Sequence, residues 1–368
     1  MRVVLSGGGT GGHIYPAVAI ARECEKQYPG SAFLYIGTEK GLESRLVPEE
    51  GLDFRAIEIT GFRRKLSMEN FKTIMRFIRG VGKAKEMLRE FKPDVVVGTG
   101  GYVCGPVVYA AAKLGIPTVI HEQNVIPGLT NTFLSRYTST VAVSFEQSAP
   151  YFKKAKNVVY CGNPRATAVM EAEKARGFAT LGLPSDSRIV LIVGGSRGAK
   201  AVNEAMIGMV PLLKQLPDVH FVYVTGQNYY ENTRKAVLQT SDAVRNHLHV
   251  LPYISNMPEV LAATTLAVSR AGASSLAEMT ALGIPSILIP SPNVTNNHQE
   301  ANARSLQDEG AAIMITEKEL STEALFGHIK SLMTDEAKRK NMSDAAKSFG
   351  QPDAAARVVA ELQRLSGK

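Results

Sequence analysis

The chain has 368 residues, more than a single hydrophobic core usually organises, so its length predicts two domains. Its composition is that of a soluble globular protein, with 45% hydrophobic and 21% charged residues. The three cysteines form no CxxC pair, which indicates reduced thiols and a cytoplasmic setting. No apolar run approaches the roughly 18 residues of a membrane span, and the opening "MRVVLSGGG" lacks the apolar core of a signal peptide. We therefore expect a soluble or peripherally attached protein.

The net charge of +8 is concentrated in one segment of the chain. Between Gly61 and Lys92, ten Lys and Arg residues stand against three Glu residues, a local excess of +7. Nucleic-acid-binding proteins also carry basic segments, but the aromatic stacking platforms and base-reading motifs of those proteins are missing here. An anionic membrane or an anionic substrate is the better partner, and we expect no nucleic acid.

The first predicted element is a buried strand that leads into the glycine loop "SGGGTGGHIYP" and then into a helix. Glycines let the backbone approach a ligand closely. A phosphate cradle alone does not need His13, whereas an imidazole is suited to moving a proton near neutral pH. The spacing of Gly7, Gly9 and Gly12 also fits a dinucleotide motif, but no acidic residue ends the second strand, which counts against NAD.

The remaining elements alternate between strands and helices. A second strand–glycine-loop–helix opening, "RIVLIVGGSRGAK", begins at Arg188. The other predicted strands are 32–37, 95–101, 118–122 and 140–145 in the first half, and 220–226, 249–254, 266–272, 286–290 and 311–315 in the second. This alternation predicts two βαβ domains, each with a parallel sheet. In such folds ligands bind at the carboxyl ends of the strands, where the glycine loops lie.

The turn "CGNPRAT" marks the predicted boundary between the two domains. We expect residues 1–163 to form the first domain and residues 164–350 to form the second. The stretch 351–368 contains "DAAARVVAELQRL", which predicts an amphipathic helix that packs back on one of the two domains.

The most specific pattern of the second half is "RAGASSLAEMTALGIPSILIP". The helix start at Ala273 offers free N–H groups for a phosphate. Glu278 lies one turn inside this helix, where a carboxylate can accept both hydroxyls of a ribose; a surface glutamate that favours the helix start is the alternative. The polar stretch "SPNVTNNHQEANAR", which includes Gln299, follows the next strand and suits sugar hydroxyls.

Several motifs together carry a family resemblance. They are "GGGTGGH", "GGYVCGP", "HEQN", "GGSRGA" and "AGASSLAE", in this order along the chain. With them the chain resembles the bacterial N-acetylglucosaminyltransferases that make lipid II in peptidoglycan synthesis. The resemblance implies a GT-B fold, in which two Rossmann-like domains with parallel sheets face each other across a cleft. The acceptor, lipid I, would bind the N-terminal domain, and UDP-N-acetylglucosamine mainly the C-terminal one.

The resemblance also implies roles for individual residues. Glu278 matches a position that contacts the ribose, and Arg165 follows the Gly-Asn-Pro turn, where the family has an arginine that covers the uracil. The other positions that match donor contacts are Thr10, Gly11, Gly12, Asn124, Ser196, Ile254 and Gln299. The implied reaction is inverting transfer of N-acetylglucosamine to the C4 hydroxyl of the muramyl sugar of lipid I, a step of cell wall biogenesis on which cell shape and cell division depend.

The chemistry of this transfer sets requirements of its own. The acceptor hydroxyl must lose a proton, so His13 is the first candidate base, and Glu122 is a second candidate or a partner that orients His13. The leaving UDP gains negative charge, which the helix start at Ala273 and the loop around Ser196 can stabilise. Because no DxD-like pair ends a strand, we expect no essential metal and no cofactor.

Two other functions remain open at this stage. One is a UDP-N-acetylglucosamine 2-epimerase of similar fold, which would leave the basic, apolar helix region unexplained. The other is a non-catalytic membrane scaffold that binds a nucleotide sugar, which would need no proton-transfer group. UDP release that depends on lipid I distinguishes the transferase from both.

The basic segment predicts an amphipathic helix with Ser67 as its N-cap. Its apolar positions recur at helical spacing and are interleaved with cations: Phe71, Ile74, Met75 and Ile78 with Lys72, Arg76 and Arg79. Gly80 and Gly82 are expected to loosen the helix. An apolar stripe with a cationic rim suits interfacial binding. We expect peripheral attachment to the cytoplasmic face of the bacterial cell membrane through residues 63–85, with packing of the stripe on the N-terminal sheet as the alternative.

Overall fold

The structure is a computed structural model that describes residues 1–61, 68–195, 198–238, 244 and 246–367, with the backbone alone at 68–71 and 238. It divides into two compact units. The first comprises Met1–Thr167 together with Asp353–Lys368, and the second comprises Ala168–Pro352.

The first unit is built on a seven-stranded parallel sheet with the strand order β3-β2-β1-β4-β5-β6-β7. The strands are β1 (Arg2–Ser6), β2 (Ala32–Gly37), β3 (Phe54–Ala56), β4 (Val95–Gly98), β5 (Thr118–Glu122), β6 (Thr140–Val143) and β7 (Val158–Tyr160). Its helices are α1 (Gly11–Gln27), α2 (Glu43–Glu49), α3 (Met68–Phe91), α4 (Cys104–Lys113), α5 (Leu129–Leu134) and α6 (Arg165–Val169). The strand order reverses between β1 and β4, so the glycine loops that follow these two strands lie side by side.

The second unit repeats the plan with a six-stranded parallel sheet in the order β10-β9-β8-β11-β12-β13. Its strands are β8 (Arg188–Val193), β9 (Val219–Val224), β10 (Leu248–Leu251), β11 (Leu266–Ser269), β12 (Ser286–Leu288) and β13 (Ala312–Met314). Its helices are α7 (Lys174–Leu181), α8 (Lys200–Met209), α9 (Tyr230–Leu238), α10 (Met257–Ala263), α11 (Ala273–Leu282), α12 (His298–Asp308), α13 (Thr322–Thr334) and α14 (Glu336–Phe349). The prediction of two α/β domains with parallel sheets is confirmed.

The last helix, α15 (Ala354–Ser366), belongs to the first unit, where it packs against α1. Val358, Val359 and Leu362 are fully buried in the core that β1 and α1 share. Its polar side is also anchored, because the Glu361 carboxylate accepts a hydrogen bond from the Thr140 hydroxyl at 2.5 Å. The chain therefore ends on the domain in which it begins.

Helix α3 carries the basic segment and runs unbroken from Met68 to Phe91. The expectation that Gly80 and Gly82 loosen this helix is wrong, because the helical backbone continues through both glycines. Gly80 is buried, and a Cβ atom there would lie 3.3 Å from Pro106 of α4, so glycine lets the two helices approach closely. Ser67 and the cluster 63–65 lie outside the described residues, as does the side chain of Phe71. No helix in the described part of the chain is long and apolar enough to cross a membrane.

Gly177 in α7 lies directly against the backbone of α10. A Cβ atom at this position would lie 2.0 Å from the Glu259 carbonyl oxygen of α10. Because this neighbour is backbone, the helices would have to separate, and we expect Gly177→Ala to lower the free energy of unfolding by about 1–3 kcal/mol. Thermal or urea unfolding measures it. Gly327→Ala in α13 is the control: its Cβ would meet open space, so it should raise stability by up to about 1 kcal/mol. Equal effects would contradict the packing account.

Candidate active site

The first glycine loop connects β1 to α1 at the centre of the first sheet. Gly9 adopts a φ of +84°, which favours glycine, and Thr10 is the N-cap of α1 in an extended conformation. The Thr10 hydroxyl makes no capping bond, and Gly9, Thr10 and Gly12 are exposed. The N–H groups at the start of α1 are therefore accessible to an anionic ligand or a sugar.

The imidazole of His13 has a defined orientation in this loop. Its Nδ1 atom lies 2.8 Å from the carbonyl oxygen of Gly8 and 3.4 Å from the Thr10 hydroxyl. A carbonyl oxygen can only accept, so Nδ1 carries the proton and Nε2 of the neutral ring keeps its lone pair. The ring packs against Gly100, where a Cβ atom would lie 2.7 Å from Cδ2 of His13. An imidazole in this tautomer can accept a proton at Nε2.

Side chains from three neighbouring elements hold the loop around His13. The Tyr35 hydroxyl of β2 donates to the Gly7 carbonyl at 2.8 Å, and the Thr99 hydroxyl after β4 donates to the His13 carbonyl at 2.6 Å. The Glu43 carboxylate of α2 accepts the Gly9 N–H at 3.1 Å. None of these three residues was predicted from the sequence, where no local motif marks them.

The motif "HEQN" at the end of β5 includes a buried histidine that has no accessible nitrogen. His121 Nε2 lies 2.9 Å from the Gly162 carbonyl, and Gln123 Nε2 lies 3.1 Å from its Nδ1. Burial lowers the pKa of His121 to about 4, against the opposing effect of the Gly162 carbonyl. His121 is therefore neutral at physiological pH and serves as a structural link between β5 and the Gly-Asn-Pro turn.

Glu122 lies in the same motif and is 2% exposed. Its Oε1 accepts the backbone and side-chain N–H groups of Asn124 at 3.0 and 3.2 Å. Its Oε2 accepts the Gly128 N–H at 3.1 Å and the Asn131 amide at 2.9 Å. The carboxylate thus shapes the loop that presents Asn124, and the described residues that donate hydrogen bonds to it do not include His13. This geometry fits a structural role better than either role expected from the sequence.

Arg165 begins α6, immediately after the Gly-Asn-Pro turn. Its N–H donates to the Asn163 side chain at 3.1 Å. Its guanidinium lies 5.3 Å from the centre of the Tyr15 ring of α1, a cation–π contact within the first unit. Together with Thr10, Gly11, Gly12 and Asn124, it completes the predicted site residues of this unit.

The second unit brings Ala273 and Glu278 to one edge of its sheet. Gly272 is the N-cap of α11, and Glu278, 8% exposed, lies on the second turn of this helix. Glu278 lines a pocket together with Val193 and Ser269, the last residues of β8 and β11, and Ser275. The buried Ser274 hydroxyl has no hydrogen-bond partner among the described residues.

The other predicted residues of this unit occupy different environments. Ile254 is buried after β10, and the Gln299 side-chain oxygen accepts the Ser291 N–H at 2.9 Å, which ties α12 to the loop after β12. Ser196 lies outside the described residues. Arg270, which sequence reasoning missed, pairs with Glu317 and donates to the Ile289 carbonyl at 3.0 Å. This pair holds the carboxyl ends of β11 and β12.

Histidine, cysteine and carboxylate side chains are not gathered for metal binding in the part of the chain that the structure describes. The three cysteines are buried and unpaired. Burial raises the pKa of Cys104 to about 12, so this thiol stays protonated beside the first glycine loop.

Comparisons with known proteins identify the family to which the chain belongs. The model of the glycosyltransferase family 28 N-terminal domain matches residues 3–143, and the model of its C-terminal domain matches residues 189–358. A relative from Listeria monocytogenes serotype 4b (strain CLIP80459) is 55% identical over 359 residues, 98% of each chain. Its name is UDP-N-acetylglucosamine–N-acetylmuramyl-(pentapeptide) pyrophosphoryl-undecaprenol N-acetylglucosamine transferase.

Solved structures give the same result for the fold. The crystal structure of Acinetobacter baumannii MurG matches with a TM-score of 0.78 at 31% identity, over 99% of each chain. The UDP-GlcNAc 2-epimerase from Neisseria meningitidis, bound to UDP-GlcNAc, matches with a TM-score of 0.71 at 16% identity, over 99% of this chain and 100% of that one. The second likeness shows the fold alone. The chain therefore belongs to glycosyltransferase family 28 and, within it, to the MurG N-acetylglucosaminyltransferases.

Proposed function

We propose that this protein transfers N-acetylglucosamine from UDP-N-acetylglucosamine to the C4 hydroxyl of the muramyl sugar of lipid I, with inversion. The observation that carries the proposal is the 55% identity over 98% of the chain to a relative named for this transfer. The orientation of His13 supports it independently, since a base with an open Nε2 is what the acceptor hydroxyl requires.

The acceptor side of the reaction belongs to the first domain. His13 Nε2 takes the proton of the C4 hydroxyl while the hydroxyl oxygen attacks the anomeric carbon of the donor sugar. The bond from that carbon to the UDP oxygen breaks, and UDP keeps the electron pair. Attack opposite the leaving group inverts the anomeric centre. Thr10, Gly11, Gly12 and Asn124 lie at or near the same edge of the sheet and bind sugar or phosphate oxygens there.

The donor side belongs to the second domain. The N–H groups at the start of α11, near Ala273, and the unpartnered Ser274 hydroxyl stabilise the negative charge that develops on UDP. Glu278 accepts the ribose hydroxyls from the pocket that it lines. Ile254, Gln299 and the loop at Ser196 complete the donor contacts of this domain, while Arg165, which belongs to the first unit, covers the uracil.

Measuring UDP release tests this function against the two alternatives. Release from UDP-N-acetylglucosamine that requires lipid I supports transfer. Formation of UDP-N-acetylmannosamine without lipid I would support an epimerase, and the absence of both products would support a scaffold that only binds nucleotide sugar. The epimerase likeness at 16% identity gives no evidence for that activity.

We also propose that the first domain attaches peripherally to the cytoplasmic face of the membrane that contains the lipid acceptor. Helix α3 exposes Ile74, Met75 and Ile78 by 46%, 39% and 58%. Its opposite side is packed, because Phe77 contacts Tyr109 and Phe133, each with ring centres 6.1 Å apart. The apolar stripe of α3 is therefore divided, and its outer part is free to enter a lipid surface.

Cations accompany this outer part of α3. Lys72 and Arg79 are exposed, whereas Arg76 pairs with Glu58 at 3.2 Å. Each surface cation contributes on the order of 1 kcal/mol at an anionic membrane. Leu129 and Phe133 of α5, exposed by 76% and 39%, add apolar surface beside Phe77. Phe71, expected to take part, lies in the segment whose side chains are outside the described residues.

The triple variant Ile74→Ser, Ile78→Ser, Arg79→Glu should reduce binding to anionic vesicles on the order of tenfold or more. Co-sedimentation at rising salt measures it, with neutral vesicles as reference. Ile207→Ser is the control, because Ile207 is an exposed isoleucine of the second unit, 37% exposed on α8. Two results would remove this surface from the proposal. One is wild-type binding that does not depend on lipid charge or salt, and the other is unchanged binding by the triple variant.

A further inference from the structure

The peptide group between Gly8 and Gly9 lies between two titratable side chains. Its carbonyl oxygen accepts from Nδ1 of His13 at 2.8 Å, and its N–H donates to Oε2 of Glu43 at 3.1 Å. The C=O and N–H of a trans peptide point in opposite directions. The three groups therefore form one continuous chain of hydrogen bonds: carboxylate, peptide, imidazole.

Glu43 is unusual because its charge is buried without a cationic partner. The residue is 0% exposed, and it forms no ion pair with any described residue. Besides the Gly9 N–H, its carboxylate accepts the Thr38 N–H at 3.0 Å and the Thr38 hydroxyl at 2.6 Å. Burying such a charge is costly. A negative charge behind the loop also opposes phosphate binding, but it favours a group that becomes positive during the reaction.

We propose that Glu43 is a positioning residue for the transfer reaction, acting on His13 through the Gly8–Gly9 peptide. This inference rests on the proposed role of His13 as the base. We call the chain of hydrogen bonds from Glu43 through the Gly8–Gly9 peptide to His13 the relay. Before the reaction, the relay keeps the proton on Nδ1 of His13 and the lone pair on Nε2. When Nε2 takes the acceptor's proton, the imidazolium donates more strongly to the Gly8 carbonyl. The polarised peptide then donates more strongly to the Glu43 carboxylate, which stabilises the positive ring.

Two titratable groups near the relay, Tyr35 and Cys104, are neutral, and a third, Arg165, is a cation. Burial raises the pKa of Tyr35 well above its usual range and that of Cys104 to about 12. Thr99 contributes a hydroxyl to the His13 carbonyl. The guanidinium of Arg165 is engaged with the Tyr15 ring. Glu43 is therefore the carboxylate that hydrogen bonds through the Gly8–Gly9 peptide connect to the imidazole. Its role resembles that of the aspartate in a Ser-His-Asp triad, with a peptide group interposed.

The test compares Glu43→Gln with Tyr35→Phe. Both change a buried side chain that holds the loop, but the Tyr35 hydroxyl bonds to Gly7 and not to the Gly8–Gly9 peptide. We expect Glu43→Gln to lower kcat by about 10- to 100-fold with little change in KM for UDP-N-acetylglucosamine. Without the negative charge, the acidic limb of the kcat–pH profile should move to lower pH. Tyr35→Phe should leave that limb in place. An unmoved limb in Glu43→Gln, or the same shift in both variants, would overturn the relay.

A second measurement uses the wild-type protein, so it does not depend on the folding of a variant. In a pH titration followed by NMR, the Gly9 amide proton should move downfield as His13 becomes protonated, with the same midpoint as the His13 ring. His13→Ala should abolish this movement. A Gly9 amide proton whose chemical shift does not change as His13 titrates would overturn the relay but not the role of His13 as the base. Normal turnover of His13→Ala would instead overturn the base role on which the proposed function depends.

Discussion

Replacing His13 by alanine should lower turnover by about 10²–10⁴-fold, because it removes the group that accepts the proton of the attacking hydroxyl. The Michaelis constant for UDP-N-acetylglucosamine should stay nearly unchanged, since the proton transfer belongs to the chemical step and not to donor binding. Steady-state kinetics at saturating lipid I measures both quantities. A fall in kcat and kcat/KM together is the signature of an interaction made only in the transition state.

His328→Ala provides the matched control, because His328 lies on α13, far along the chain from the glycine loops. It should retain wild-type kinetics. Near-normal turnover of His13→Ala at saturating substrates would mean that His13 only packs against Gly100 and orders the loop.

The variant Glu122→Gln helps to separate the two candidate bases. An amide at position 122 would set N–H groups against the donors of Asn124, Gly128 and Asn131, so its main effect should be lower stability.

Glu278→Ala should weaken donor binding more than it slows the chemical step. A hydrogen bond to a charged acceptor contributes about 1.5–3 kcal/mol, so the loss of one such contact raises the Michaelis constant for UDP-N-acetylglucosamine by roughly 10- to 150-fold. Glu278 lines a pocket together with Val193 and Ser269, the last residues of β8 and β11. Initial rates over a range of donor concentrations give the result.

Glu278→Gln refines this experiment, because an amide retains one acceptor oxygen. It should have an intermediate Michaelis constant. The same Michaelis constant for wild type and Glu278→Ala would make the ribose assignment wrong. The simpler interpretation would then stand, that Glu278 is a carboxylate that favours the amino end of α11.

Buried strands were the most predictable part of the fold. Val95–Gly98 reads as a continuous apolar run because both faces of a central parallel strand are covered. Strand β3, with the sequence Phe-Arg-Ala, was not predicted, since it is a short edge strand that is only partly buried. The effect of Gly80 on α3 was also beyond sequence reasoning. Glycine lowers helix propensity locally, but contact with Pro106 decides what this glycine does.

The site residues also fall into those that could be predicted from the sequence and those that could not. Motifs with local chemistry, such as the glycine loop with His13 and the helix start at Ala273, could be predicted because their neighbours in sequence define them. Glu43 could not, since its partner Gly9 is 34 positions away. The hydrogen bonds of Glu122 could not be predicted for a different reason. A carboxylate at a strand end suits catalysis and structure equally, and only its four hydrogen-bond donors distinguish them.

The structure of the reaction product tests the central claim most directly. The protein is incubated with lipid I and with donor that carries ¹³C in its N-acetylglucosamine, and the lipid product is examined by mass spectrometry and NMR. We predict one labelled sugar per lipid, attached to the C4 oxygen of the muramyl residue in the β configuration. A label attached elsewhere, an α linkage, or label found only in UDP-N-acetylmannosamine would contradict inverting transfer to lipid I.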